Sequence, residues 1–282
     1  NCEFSSNPTI TDCTIEGNSA EYAGGLICLI SSPIISGCTI EYNSAQAGGG
    51  FACAVDSNPI FTNCTISNNT AQESGGIAIY SSSEPMFTDC TITNNTASNS
   101  DGGGISVSGQ SFPIFTRCMI EDNSAASTGG GIYCIAGFPL LTDCTIDRNS
   151  AISAGGALYC QGSYPLLIGC TVSDNTANKC GGIKSTVSSL GLENTTVCGN
   201  TADQICGAYE DEGGNTVVDE CPGHCPGDLD NDGSVGVDDL LILLSEFGAD
   251  CSDGCVSDLD DDGDVTVDDL LSLLGAYGTS CL

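Results

Sequence analysis

The stretch PIFTNCTISNNTAQESGGIAIY, residues 59–80, is restated down most of the chain at a period of about 26 residues. Its cysteine returns as Cys13, Cys38, Cys64, Cys90, Cys118, Cys144 and Cys170, each followed by Thr (Met119 once) and then Ile or Val. Five residues past each cysteine stands an asparagine: Asn18, Asn43, Asn69, Asn95, Asn123, Asn149 and Asn175. A worn eighth copy keeps Asn200 and loses the cysteine. A unit this short cannot bury a core alone and must stack on copies of itself, so the period restricts the fold to solenoids and related arrays.

Each unit carries three strand candidates, of the types Pro-Ile-Phe-Thr, Cys-Thr-Ile and Gly-Ile-x-Cys; in the last two, apolar residues alternate as in strands with one buried face. The unit-opening prolines, Pro8, Pro33, Pro59, Pro85, Pro113, Pro139 and Pro165, mark strand edges that need no ladder donor. The Gly-Gly pairs before the third strand supply corners that a side chain would obstruct. No segment of the repeats has helical periodicity. The pattern therefore predicts a mainly β chain, a right-handed parallel β-helix of about eight rungs rising ~4.8 Å each, or roughly 40 Å of rod. In such a coil, equivalent residues stack in columns. The cysteine column, the Ile column beside it and a further column of Cys28, Cys53, Ile79, Val107, Cys134 and Cys160 should point inward. Exchange of Cys with Ile and Val there reads the thiols as small, reduced core hydrophobes. The asparagines should line a corner and bond to one another. Cys180 and Cys206, one period apart beside the glycine corner, are the pair placed for a rung-to-rung disulfide.

Lys and Arg number 4 against 37 acids, and 20 of the acids lie from Glu210 onward. A polyanion repels phosphate backbones and anionic bilayers, which argues against nucleic acid and membrane insertion, and it attracts divalent cations. No apolar run approaches the ~20 residues of a membrane helix. Twenty cysteines with no CxxC pair suit an oxidising compartment, so an extracellular or cell-surface location is expected. The opening NCEFSSNP matches the tail of a unit, as in YCIAGFP at 133–139, so the chain reads as beginning within a rung.

On these words residues 1–209 resemble the right-handed parallel β-helix repeat proteins. GGGIYC (129–134), GGALYC (155–160) and the Ile-x-x-Asn spacing are also similar to the short motifs of the chlamydial polymorphic outer-membrane proteins. The β-helix fold is shared by pectate lyases, polygalacturonases, adhesins and tail spikes, so the resemblance implies a fold and leaves function open. Catalysis by such rods needs a base beside an acid cluster, or carboxylates on adjacent rungs. Asp89, Arg117 and Asp143, with Glu121 and Asp147, form the nearest approach, and they read as a solvated face of alternating ion pairs. No catalytic residue is assigned, and the chain is expected not to be an enzyme.

The acidic C-terminal stretch carries the sharpest motif. DLDNDGSVGVDD (228–239) and DLDDDGDVTVDD (258–269) each place Asp at positions 1, 3, 5 and 12, with Gly at 6 and Val at 8. Oxygens at those positions converge on calcium, position 7 adds a backbone carbonyl, and Gly permits the sharp turn. The metal ligands predicted for two calcium ions are Asp228, Asp230, Asp232, Ser234 and Asp239, then Asp258, Asp260, Asp262, Asp264 and Asp269. Val235 and Val265 should pair the loops, and each loop should feed an apolar helix that ends at Gly. Cysteines repeat at the same 30-residue step, and the spacing predicts disulfides Cys225–Cys251 and Cys255–Cys281, each closing a loop worth ~3 kcal/mol.

With no helix pattern before either loop, the tandem resembles a type I dockerin and implies a calcium-folded module that docks on a cohesin-like receptor. Val237-Asp238 and Val267-Asp268 stand where that family carries its partner-contacting Ser-Thr pair. The expected division is a β-helix domain at 1–209, an acidic Cys/Gly/Pro linker at 210–225 and a dockerin-like domain at 226–282. The function expected is a secreted structural protein that self-assembles into extracellular filaments. The alternatives are a surface adhesin or cohesin-docked scaffold component, and a polysaccharide lyase or hydrolase. Partners are accordingly other protein chains, by self-association or through a receptor, with carbohydrate as a further class.

Overall fold

A computed structural model describes residues 1–3, 5–221, 227–230, 234–249, 251, 255–259 and 263–278. The chain divides into two compact units, Asn1–Asp219 and Glu220–Leu282.

The first unit is a parallel β-helix. Three of its sheets hold nine strands each and follow the three predicted strand types: one after the glycine corner, one after the proline, one around the cysteine. Nine strands per face make eight turns. Neighbours pair in parallel and in register, for example Thr65, Ile66 and Ser67 on Thr91, Ile92 and Thr93. Register is set by the core pattern, since a one-residue slip would turn every buried side chain outward. Inside, the cysteines from Cys38 to Cys170 are buried, as are Ile40, Ile66, Ile92, Ile120, Ile146 and Val172. Cys28, Cys53, Ile79, Val107, Cys134 and Cys160 form the expected second column, each 0% exposed. The proline sheet contributes Phe61, Phe87 and Phe115, stacked at 4.8 and 4.9 Å between ring centres.

The asparagine column lies at the corner as predicted. Each Oδ1 accepts from the backbone and amide nitrogens of the rung before, as Asn123 does from Asn95 at 3.0 Å for both. Each Nδ2 also reaches a carbonyl, as Asn123 does to Ile92 at 2.9 Å. Buried amides of this kind are tolerated because every donor has a partner.

The structure departs from the sequence reading in four places. A fourth sheet of six short strands, among them Thr70–Glu73 and Ser150–Ala154, follows the asparagine corner. Its inward residues Ala97, Ala125 and Ala151 pack on one another and on Ala177, too small a signal to read as a strand. A second polar column, Ser31, Ser57, Ser83, Ser111 and Ser163, lies buried two residues before the prolines. Ser57 there accepts the Ser31 N–H at 3.2 Å and donates to Ala54 O at 2.7 Å. Strand Thr216–Val217 and all but the first residue of Tyr209–Asp211 fall in the stretch read as linker, and Thr216 and Val217 register on Thr196 and Val197 to add a last turn. Finally, the glycine corner is tighter than a simple turn requires, since a Cβ on Gly76 would stand 2.6 Å from the Gly104 carbonyl of the next rung.

Cys180 and Cys206 form the rung-to-rung disulfide, with 5.8 Å between Cα atoms. Cys198 and Cys221 are also disulfide-bonded. Among the described residues twelve cysteines are free, and Cys13 alone of these is exposed. A thiol reagent should therefore modify Cys13 rapidly in the native protein and the eleven others only after unfolding. Native labelling of Cys64 or Cys90 at the rate of Cys13 would contradict the buried column.

The second unit holds two helices among its described residues, α1 (Val237–Glu246) and α2 (Val267–Ala276). Val235, Leu243, Val265 and Leu273 form its core. The halves are joined reciprocally. The N–H of Gly248, after α1, donates to Val265 O at 2.8 Å, and that of Gly278, after α2, to Val235 O at 2.8 Å. Both glycines have positive φ, +81° and +82°, so a side chain there would be strained. Among the described residues no helix is long and apolar enough to cross a membrane.

The predicted pairings Cys225–Cys251 and Cys255–Cys281 are corrected: Cys251 bonds to Cys255, with Cα atoms 5.1 Å apart. Four residues of sequence bring those thiols together locally, which a rule based on the 30-residue step overlooks. Cys225 and Cys281 lie outside the described residues.

Candidate metal centre

Each half of the second unit is organised by the aspartate at loop position 12, which also serves as the third residue of the following helix. Asp239 is buried, 1% exposed. Its Oδ1 accepts the N–H groups of Leu229 at 2.6 Å and Asp230 at 3.1 Å, and its Oδ2 that of Gly236 at 2.6 Å. Burial works against ionisation here, but the Gly236, Asp230 and Leu229 amides outweigh it and hold the carboxyl below the usual range. Asp269 repeats the arrangement, accepting from Leu259 at 2.6 Å and Thr266 at 2.7 Å. One residue thus caps the helix and closes the loop onto its start.

That closure gathers carboxylates. Asp228, Asp230 and Asp239 each place an oxygen within 4.8 Å of the others. An all-oxygen set of three carboxylates, with no base in the unit beyond residue 184 except His224, fits a hard divalent cation. Ser234 and Asp264, the position-7 residues, are exposed, as a residue contributing only its carbonyl can be. In the second half Asp258 Oδ2 accepts from Gly263 N at 3.0 Å, which folds position 1 over the turn. The predicted ligands Asp232, Asp260 and Asp262 lie outside the described residues.

The charged patch on the rod is a set of ion pairs. Arg117 makes a two-pronged contact with Asp89, Nε to Oδ1 at 2.7 Å and Nη2 to Oδ2 at 2.9 Å, which holds the Asp89 carboxyl below its usual range. Arg148 binds Glu121 at 2.9 Å, Asp122 at 3.1 Å and its neighbour Asp147. The column Asp12, Gly37, Asn63, Asp89, Arg117, Asp143 and Gly169 has positive φ throughout. That conformation explains the Gly, Asn and Asp preference without any chemistry at the site. Asp143 and Arg117 therefore belong to corners rather than to a cleft.

A family model described as a right-handed beta helix region matches residues 1–172 and 88–221. The chain belongs to that family, which gives the hand of the coil. No curated protein matches the chain.

Proposed function

We propose that this protein is a non-catalytic, extracellular structural component whose C-terminal unit takes up two calcium ions and joins the chain to further copies of itself. The convergence of Asp228, Asp230 and Asp239 carries the reading. The dockerin-like spacing of both loops supports the second ion, and the disulfides Cys180–Cys206 and Cys251–Cys255 suit an oxidising location.

The helices supply the joint. Leu243 and Leu273 face the core, but Val237, Leu241 and Leu244 on α1 are 59, 58 and 50% exposed. Val267, Leu271 and Leu274 on α2 match them at 57, 60 and 48%. Two equivalent apolar faces make a module bivalent, and contacts through bivalent modules propagate as filaments. With a formal net charge of −33 the chains repel one another, and bound calcium lowers that repulsion where the faces meet. A cohesin-like receptor engaging one face is the alternative partner.

Calorimetry tests the metal reading. Wild-type protein should show uptake of two ions near neutral pH, and Asp239→Ala should lose one of the two binding events while leaving the β-helix unit's unfolding transition in place. No uptake, or full uptake by the variant, would refute it.

A further inference from the structure

The rung from Cys90 to Cys118 is 28 residues long, two more than its neighbours, and beside it the rod carries a hollow of about 270 Å³. Its floor comes from a step in one outward column of the glycine sheet. Ala52, Ala78 and Ser106 are small, and the next two rungs place Tyr133 and Tyr159 in register with them. Tyr133 lines one wall, and Tyr159 stacks behind it at 5.7 Å between ring centres. Tyr80 lines the hollow too, its hydroxyl 3.3 Å from Ser74 Oγ. Across from them stand Glu73, at the end of a short-sheet strand, and Asp101, from the longer corner.

Three features specify a ligand. Both carboxylates line the hollow and no Lys, Arg or His does so. The rod's arginines are engaged elsewhere, Arg117 by Asp89 and Arg148 by Glu121, Asp122 and Asp147. Asp101 is fixed in place, its Oδ1 accepting from Thr128 N at 2.9 Å and Thr128 Oγ1 at 2.6 Å, while Glu73 makes no side-chain hydrogen bond among the described residues. Ser106 is only 6% exposed, lines the hollow, and its hydroxyl has no hydrogen-bond partner among the described residues. A Cβ at Gly102 would land on that hydroxyl, so glycine there keeps it open.

We propose that this hollow binds a primary ammonium group carried on an alkyl stem. Glu73 and Asp101 neutralise the charge, the tyrosine rings attract it through their electron-rich faces, and the Ser106 hydroxyl accepts an N–H. Ile135 gives the stem an apolar contact surface. The volume has room for several heavy atoms, more than a bare ion fills and less than a drug-sized pocket. A free alkyl diamine and a lysine side chain of another protein present the same group.

Calorimetry on the full-length chain, with 1,5-diaminopentane and with Nα-acetyl-lysine methylamide, separates the two sources. Acetyl-norleucine methylamide serves as the uncharged match. One site per chain is expected for the amines and none for norleucine. A preference for the capped lysine marks a protein-borne source, and a preference for the diamine a free one. Glu73→Gln, which removes an unbonded carboxylate and so spares the fold, should weaken binding about tenfold, or ~1.4 kcal/mol. Ser106→Ala should weaken it as well. Glu21→Gln, an exposed acid elsewhere, makes the same change in net charge and should leave binding unaltered. Equal weakening by Glu73→Gln and Glu21→Gln would reduce the effect to diffuse attraction by a polyanion and overturn the proposal. So would calcium displacing the amine in a Glu73-dependent manner, or neutral oligosaccharides binding or being cleaved at the hollow.

Discussion

Asn123→Ala is expected to destabilise the β-helix by about 4 kcal/mol, because each buried polar group left without a partner costs ~1–3 kcal/mol. Asn123 is 0% exposed. Its Oδ1 takes two N–H groups of Asn95, and its Nδ2 reaches Ile92 O, Glu121 O and Asn149 Oδ1 between 2.9 and 3.0 Å. Alanine orphans the Asn95 main-chain donor in the dry interior and breaks the amide ladder midway, where no water replaces it. The loss approaches the whole margin of a domain that is ~5–15 kcal/mol stable, so the variant should unfold at much lower urea with an unchanged denaturant slope. A shift worth less than ~1 kcal/mol would mean that the column is solvated.

Alkaline pH should have the second large effect. Burial pushes the Cys134 thiol up to about 12, and burial likewise raises Cys28, Cys53 and Cys160. An unfolded thiol titrates near ~8.5. A raised folded value means the stabilisation is complete below the unfolded value and is lost as pH climbs toward the folded one. By pH ~9.5 the unfolded chain gains ~1.4 kcal/mol per thiol from deprotonation that the folded chain is denied, so four thiols together remove about 5–6 kcal/mol. Urea midpoints measured from pH 8 to 10 should fall steeply. Cys134→Val should remove about a quarter of that slope, since Val107 already occupies the same column one rung earlier. Midpoints that stay flat over this range would show that these thiols are not in the core.

The columns were legible because a stacked coil copies its environment every turn: Cys64 and Cys90 meet the same surroundings, so the sequence writes the same residue. The asparagine corner was legible for the same reason, an amide at a fixed offset being the side chain that can bond both to its like and to the backbone. The serine column obeys this rule equally, at two residues before each proline, but Ser beside Pro has the composition of any surface loop. Thr-Ala at the fourth sheet is too short to show a period. Corner residues such as Asp89 and Arg117 read as a solvated face of ion pairs, and their positive backbone angles add the reason why Asp and Gly recur there. The aspartate spacing of 228–239 was visible as a motif, and the structure brings three of its carboxylates, Asp228, Asp230 and Asp239, within 4.8 Å of one another. The disulfide Cys251–Cys255 was not readable, since evenly repeated cysteines permit several pairings. The Glu73–Asp101 hollow depends on side-chain sizes two rungs apart, Ala78 to Tyr133, and no local motif records it.

Negative-stain electron microscopy of the purified protein, first in calcium and then after chelation, tests the proposed role most directly. The account predicts filaments in calcium that fall apart when the ion is withdrawn. Isolated single molecules in both conditions would contradict self-assembly through the C-terminal unit and turn attention to a receptor for its two exposed leucine faces.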